Sequence, residues 1–531
     1  VAAEVASFGS LTVTTSIPFL SVNVEYFLGS LGLLLISAVR FSERKQMIKI
    51  IEVIFFIICL VKNCINIILI FFLSSKLYIN KESNKSCTIL FPMKNCFLIL
   101  LVFPNMYADN FNSLIEMYPS SNDKTKINIV IKDNIDIEGR VTSAGSIALK
   151  DNVAKQNAFL IDKLLLNGFY IKGKANLSEW ANFRSTSSVS GWSSINGQTV
   201  HPIDKAYNPC GSSSGSAVAV ASGIVDVAIG TETNGSITCP ASVVGVVGMK
   251  PTVGLVSRTG IIPISESQDT AGPMGISVEI VAQTLQSIAG IDHKDAKTKI
   301  IPKNFDFNFR EAADNRTLLG KRFGLLESGF DTEYGKKFLK KLQRDITELG
   351  GEIIFIEDNR SYPSEEEYFL LLYEFKHGLE KYLKYSSENK KSLKEIIEFN
   401  NENSDLVMPF FKQEIFYAAI EAAQDKAKYE ESKVVLRNAT NKTINLMEQY
   451  NLDAFIGLTR GPAWKINYEG GDRKASKEIL SFGNGGYAAF GGLPHITIPY
   501  FKINNFPVGI SLIGRPWSDK EIISFAAALE R

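Results

Sequence analysis

Three short segments bring together residue types that can move a proton and attack a carbonyl. The first is Cys210-Gly211-Ser212-Ser213-Ser214-Gly215-Ser216. A Gly/Ser run suits a phosphate cradle at a helix N-terminus, a flexible linker, or an active-site loop needing hydroxyls and close backbone approach. A Walker-type phosphate loop ends in Gly-Lys-Ser/Thr, and no lysine follows here. A linker would not lead at once into the buried-looking Ala217 to Ala221. The second segment is Gly230-Thr231-Glu232-Thr233-Asn234-Gly235-Ser236-Ile237, directly after an apolar run. A serine on a tight turn between strand and helix is exposed at its tip, and the N–H groups of the turn converge where an oxyanion would form. The third is Lys132, which closes the run Ile127 to Ile131 and precedes Asp133-Asn134. Lysine is seldom buried without a partner. Taken singly, each admits a structural role: an ordered loop, a helix cap at Ser236, a strand-end lysine that reaches water or pairs with Asp133. For each alone, the structural role is the stronger reading. A serine hydroxyl is a weak nucleophile until a base takes its proton. A lysine is that base only when neutral, and burial lowers its ordinary pKa of about 10.4 by several units.

Such residues must be held by regular elements. Ile127 to Ile131 is mostly β-branched and predicts a strand, as does the apolar Val225 to Ile229. Asn157 to Leu166 predicts a helix, Gly168 to Ile171 an extended piece, and Ser216 to Gly223 a helix of small residues packed close on a sheet. Ala175 to Pro209 is rich in Ser, Asn, Gly and Trp and reads as loop, and loops of that length in a compact domain are usually functional. From about 300 to 450 the sequence is charged and periodic, predicting an outer helical region that includes Lys336 to Leu349 and Glu414 to Tyr450. After Leu452 strands return at Ala454 to Leu458, His495 to Pro499 and Val508 to Leu512. This alternation predicts an α/β fold. There is no internal repeat.

Composition narrows the function classes. The 531 residues are 45% hydrophobic and 21% charged with net charge +1, an ordinary globular balance. No basic run is interleaved with aromatics and no zinc or helix-turn-helix spacing occurs, so nucleic acid is not an expected partner. Cys59, Cys64, Cys87 and Cys96 lie in an apolar leader, and Cys210 and Cys239 stand apart from them in no paired pattern. The spacing predicts neither a disulfide framework nor a metal site. His201, His293, His377 and His495 are scattered, with no HExxH-like pair. None falls inside the three segments, which argues against a Ser-His-Asp arrangement.

Residues 1–108 differ in texture from the rest. Residues 26–39 and 47–73 are apolar, and the second is long enough to cross a bilayer, which takes roughly 20 residues. Residues 93–108 combine a short positive start, a brief apolar run and the small residue Ala108, the layout of a secretory signal peptide. Either reading places the unit 109–531 outside the cytoplasm or at a membrane.

At this point the sequence resembles the amidase-signature family. The resemblance rests on Lys132-Asp133-Asn134, Gly211 to Gly215, Thr233-Asn234-Gly235-Ser236-Ile237, Gly248-Met249-Lys250-Pro251-Thr252, Asp269-Thr270-Ala271-Gly272-Pro273-Met274 and Pro507-Val508-Gly509-Ile510. Ser236 follows Ser212 by 24 residues, as the family's two serines do. The resemblance implies a central twisted mixed β-sheet flanked by helices. It implies Ser236 as nucleophile, Ser212 as a bridging serine on a cis peptide bond after Gly211, and Lys132 as base. It implies backbone N–H groups of Thr233, Asn234, Gly235 and Ser236 as the oxyanion hole, with Ser213 placing Lys132 and Asp269 in a supporting role. This chemistry calls for no metal and no cofactor. Lys250 is a rival base, in what reads as a structural turn.

The departures from the family pattern point to one branch. Most members carry Gly-Gly-Ser where this chain has Asn234-Gly235-Ser236, and many have arginine where it has Thr238. Ser212-Ser213-Ser214-Gly215 replaces the commoner Ser-Ser-Gly-Gly. These runs resemble the branch of bacterial peptide amidases, as do Leu177 to Arg184, Gly461-Pro462-Ala463-Trp464 and Leu493 to Thr497. The expected activity is therefore hydrolysis of a carboxamide, including the C-terminal amide of a peptide. The competing readings are the A-type component of a glutamyl-tRNA amidotransferase, a membrane-anchored lipid amide hydrolase and an inactive binding protein on the same fold. Members usually carry a helical segment before the lysine strand, and here only Asp109 to Thr125 precedes it.

Overall fold

The computed structural model describes residues 109–531 except 120, 122, 327–329, 331, 478, 480–483 and 531; before 109 it describes only short strands. The chain divides into two compact units, Val1–Ala108 and Asp109–Arg531. In the first, Ile57–Cys59 pairs with Ile68–Ile70, and Cys87–Met93 with Cys96–Val102, all antiparallel. The apolar stretch 26–39 and the remainder of 47–73 lie outside the described residues. Among the described residues, no helix is long and apolar enough to cross a membrane.

The second unit is built on one mixed sheet of eleven strands. In chain order these are β1 (Leu114–Met117), β2 (Ile127–Lys132), β3 (Phe169–Ala175), β4 (Val227–Glu232), β5 (Val247–Lys250), β6 (Thr270–Gly275), β7 (Arg322–Leu326), β8 (Glu352–Ile356), β9 (Ala454–Leu458), β10 (His495–Ile503) and β11 (Phe506–Ile513). Across the sheet they run β8-β7-β9-β11-β10-β5-β6-β4-β2-β3-β1. β2 lies parallel to both β3 and β4, with Ile131 opposite Ile229. Strands covered on both faces read as near-continuous apolar runs, which is how β2 and β4 read.

The period of two sorts their side chains by face. Ile129, Ile131, Val227 and Ile229 pack with Leu160 and Ile161 of α1 (Phe159–Leu166) and with Val281 and Leu285 of α4 (Val278–Ile288). Val130 and Ala228 pack on the other side, against Ala217 and Val218 of α2 (Ser214–Ala221) and Ala241 of α3 (Thr238–Val244). Lys132, two residues beyond Val130, therefore faces α2. Small residues let α2 come close: a Cβ added at Gly215 would sit 2.2 Å from the Ser113 carbonyl oxygen and 2.4 Å from that of Asn176. Gly245, at φ 81°, ends α3 in the left-handed conformation that glycine adopts freely.

The outer region begins later than the sequence pattern predicts. β7 and β8 lie inside the stretch 300–450 and extend the main sheet by parallel pairing. Their runs are five residues each, too short to stand out beside the strongly amphipathic α5 (Glu333–Glu348) between them. The helices that follow are α6 (Ser364–Tyr385), α7 (Leu393–Glu402), α8 (Glu414–Ala422) and α9 (Lys426–Gln449), whose Leu370, Phe375, Ile396, Phe416 and Leu436 form a second core. The predicted helix Glu414 to Tyr450 is two helices. Asp425 starts the second by accepting a hydrogen bond from the Lys428 amide, a side-chain cap that competes with helix continuation. The last helix, α10 (Asp519–Leu529), packs its Ile522 and Ile523 into the main core.

The cysteine reading needs correction too. Cys210 and Cys239 form a disulfide across a sequence separation of 29, with Cα atoms 6.0 Å apart. The bridge joins the loop before α2 to the start of α3, a proximity set by the sheet and invisible in sequence spacing.

Candidate active site

The three chemistry-bearing segments meet at the ends of β2 and β4. The register sets Lys132 beside Gly230 and Thr231, and the Ser212–Ser213 loop enters from α2. Lys132 Nζ lies 2.8 Å from Ser212 Oγ, 2.9 Å from Ser213 Oγ, 2.9 Å from Thr231 Oγ1 and 3.1 Å from the Thr231 carbonyl oxygen. The lysine is completely buried. Burial lowers its pKa to about 7, against the opposing pull of the carboxylates of Asp269 and Glu232. A neutral amine has two N–H donors and one lone pair. Of the four oxygens around it only the Thr231 carbonyl cannot donate, so a hydroxyl proton can be shared with that lone pair.

The loop is tied to its neighbours by both backbone and hydroxyl hydrogen bonds. The peptide bond Gly211–Ser212 is cis. The Ser178 amide donates to the Ser212 carbonyl and the Ser213 amide to the Ser236 carbonyl, both at 3.0 Å. Ser213 Oγ also donates to the Thr231 carbonyl and accepts from the Thr231 amide. Ser214 Oγ donates to the Cys210 carbonyl at 2.6 Å. The space is tight, since a Cβ added at Gly230 would fall 2.7 Å from Ser213 Oγ.

Ser236 sits on the turn after β4, with Gly235 at φ 83° just before it. It retains 9% of its surface, and among the described residues its hydroxyl has no hydrogen-bond partner. Lys132, Ser212 and Ser213 are thus joined directly. Among the described residues, no hydrogen bond joins the Ser212 hydroxyl to that of Ser236. Glu232 holds the turn from below: Oε2 accepts from the amides of Ile237 at 2.7 Å and Thr238 at 2.9 Å. Thr233 Oγ1 donates to Asp269 Oδ1 at 2.6 Å. Asp269 also receives the amides of Ile264 and Ser265, and burial raises its pKa to about 6.

The rest of the Lys132-Asp133-Asn134 motif braces the strand end. Asp133 makes a buried ion pair with Lys174 at 3.2 Å and accepts from the Ser143 amide and hydroxyl. Asn134 donates to Thr231 Oγ1 at 3.0 Å. Lys250, the rival base, is buried elsewhere: it donates to the Pro251 carbonyl, and burial lowers its pKa to about 8 against the charges of Glu232 and Asp519. His201 bonds the Val243 carbonyl and His495 bonds Ser511, both buried. A cavity of about 500 Å3 reaches the site, lined by Asn134, Thr231, Thr233 and Asp269 and, from α6, by Lys381 and Tyr382. Ser236 is not among its lining residues.

Three kinds of contact at the site were not expected from the sequence. Thr231 gives Lys132 two oxygens, and Glu232 caps the turn, although both lie inside the segment already singled out. Their signal was an acid and a hydroxyl at the very end of an apolar strand. Tyr362, Glu367 and Gln268 also reach the turn, through Asn234 and Thr233, and nothing in the sequence marks them.

The amidase family profile matches residues 126–523. A probable amidase of Arabidopsis thaliana is 34% identical over 424 residues, covering 76% of this chain and 76% of that one. Among solved structures, the peptide amidase of Stenotrophomonas maltophilia aligns with a TM-score of 0.74 and 38% identity, covering 79% of this chain and 88% of that one. The A-type component of the glutamyl-tRNA(Gln) amidotransferase of Thermotoga maritima aligns with a TM-score of 0.61 and 27% identity, covering 79% and 87%.

Proposed function

This chain belongs to the amidase family and hydrolyses amides, and from that premise we propose that it cleaves a primary carboxamide, such as a peptide's C-terminal amide, through an acyl-enzyme on Ser236. The observation that carries the mechanism is a buried lysine of lowered pKa within hydrogen-bond reach of Ser212. Neutral Lys132 takes the proton of Ser212 as Ser212 takes that of Ser236. Ser236 Oγ then bonds to the carbonyl carbon, and the charge arriving on oxygen meets the N–H groups of Thr233 to Ser236. The C–N bond breaks as the proton returns along the relay to the leaving nitrogen, releasing ammonia. Water attacks the acyl carbonyl by the same relay, frees the acid and restores Ser236.

The substrate class is taken from the likeness to the peptide amidase, which exceeds that to the amidotransferase component in both identity and TM-score. A serine-directed fluorophosphonate probe and ammonia release from C-terminal peptide amides test the reading. Wild type is expected to be labelled and to release ammonia, and Ser236→Ala to do neither. Equal labelling of Ser236→Ala would remove Ser236 from the nucleophile role. We also infer from the apolar runs in 1–108 that the catalytic unit is exported or held at a membrane. Recovery of the full chain solely in the soluble cytosolic fraction would overturn that.

A further inference from the structure

The turn carrying Ser236 is held from outside its own motif. Asn234 stands where most of the family has glycine, and its side chain is engaged: Nδ2 donates to Glu367 Oε1 at 2.8 Å and to the Tyr362 hydroxyl at 3.1 Å. The same Glu367 oxygen accepts Gln268 Nε2 at 3.0 Å, and that nitrogen also lies 3.3 Å from the Thr233 carbonyl oxygen. The second oxygen of Glu367 accepts the Tyr362 hydroxyl at 2.5 Å. Glu367 lies in the first turn of α6 and is only 6% exposed. Tyr362 is wedged edge-on against Tyr487 and Phe490. The fit leaves no slack, since a Cβ added at Gly486 would fall 2.6 Å from the Tyr362 hydroxyl. One carboxylate thus grips two consecutive residues of the turn, one directly and one through Gln268.

We propose that Glu367 is a positioning residue for the oxyanion turn, fixing the amides of Asn234 and Gly235 through the Asn234 and Gln268 side chains. The proposal rests on the reading that this turn receives the oxyanion. Its chemistry is specific. A carboxylate only accepts hydrogen bonds, so it dictates that the amide nitrogens of both Asn234 and Gln268 face it. Displacing donors aimed at a transition state slows the chemical step and leaves ground-state binding nearly untouched. Gln in place of Glu367 keeps one oxygen for Asn234 and Gln268 and turns its NH2 to the Tyr362 hydroxyl, which can accept.

The experiment compares the full chain with Glu367→Ala, Glu367→Gln, Asn234→Gly and the double variant Asn234→Gly/Glu367→Ala. It reads fluorophosphonate labelling rate, kcat and KM on a C-terminal peptide amide, and the thermal midpoint. Glu367→Ala is expected to lower kcat and labelling rate about tenfold with KM within about twofold, less than the loss from removing an oxyanion donor outright. Glu367→Gln is expected to recover most of that. In the Asn234→Gly background the alanine change is expected to cost no more than about threefold, because much of its path of action is gone. Equal labelling rates for wild type and a folded Glu367→Ala would overturn the proposal. So would equal losses in the alanine and glutamine variants, or full additivity with Asn234→Gly. A wild type that is labelled yet hydrolyses no peptide amide overturns the substrate reading alone, and the labelling rates still decide the role of Glu367. A wild type that resists the probe overturns both.

Discussion

Burial is what would fit Lys132 for the base role proposed for it, since lysine is ordinarily protonated. Its pKa is brought to about 7 by desolvation, with Asp269 and Glu232 opposing. Only the neutral form accepts a proton, and that form grows as pH rises through 7. The expected profile of kcat/KM therefore climbs from pH 6 to pH 8 with a midpoint near 7, and flat activity across that interval would remove Lys132 from the base role. That Lys132 and Ser212 lie together was expected from the family resemblance, since each residue taken alone read more readily as structural. The supporting contacts were not. Thr231 touches Lys132 only because parallel strands bring Ile131 and Ile229 level, and Glu367 reaches Asn234 from 133 residues away.

At the scale of elements, the site depends on α2 lying almost on the sheet. Small residues mark that helix in the sequence, and apolar runs mark β2 and β4. The cap that separates α8 from α9 and the five-residue strands β7 and β8 leave only weak periodic traces in the sequence. Gly230 tests the closeness. Gly230→Ala places a methyl group 2.7 Å from Ser213 Oγ and 3.0 Å from the Met274 sulfur, both inside van der Waals contact. Ser213 must then move away from Lys132. Activity is expected to fall at least tenfold while circular dichroism stays that of wild type. Full activity in a folded Gly230→Ala would mean that Ser213 has no part in placing the lysine.

For the whole molecule, the disulfide and the sheet divide the labour of holding the loop before α2 against the start of α3. Closing a loop of 29 residues removes chain entropy from the unfolded state worth about 3–4 kcal/mol. Replacing Cys210 and Cys239 together by serine is expected to lower the thermal midpoint clearly, and an unchanged midpoint would show that the bridge adds nothing to stability. The sheet register carries a further consequence, for inheritance rather than chemistry. Adjacent residues of a strand face opposite ways, so a single codon inserted in frame within β2 or β4 would turn Lys132 out of the site or swing the Ser236 turn to the wrong side of the sheet. Such insertions act as null alleles even though they delete no functional group. Length variation among relatives is therefore expected to collect in the connections and to spare these two strands, which a codon-insertion scan scored for activity would reveal.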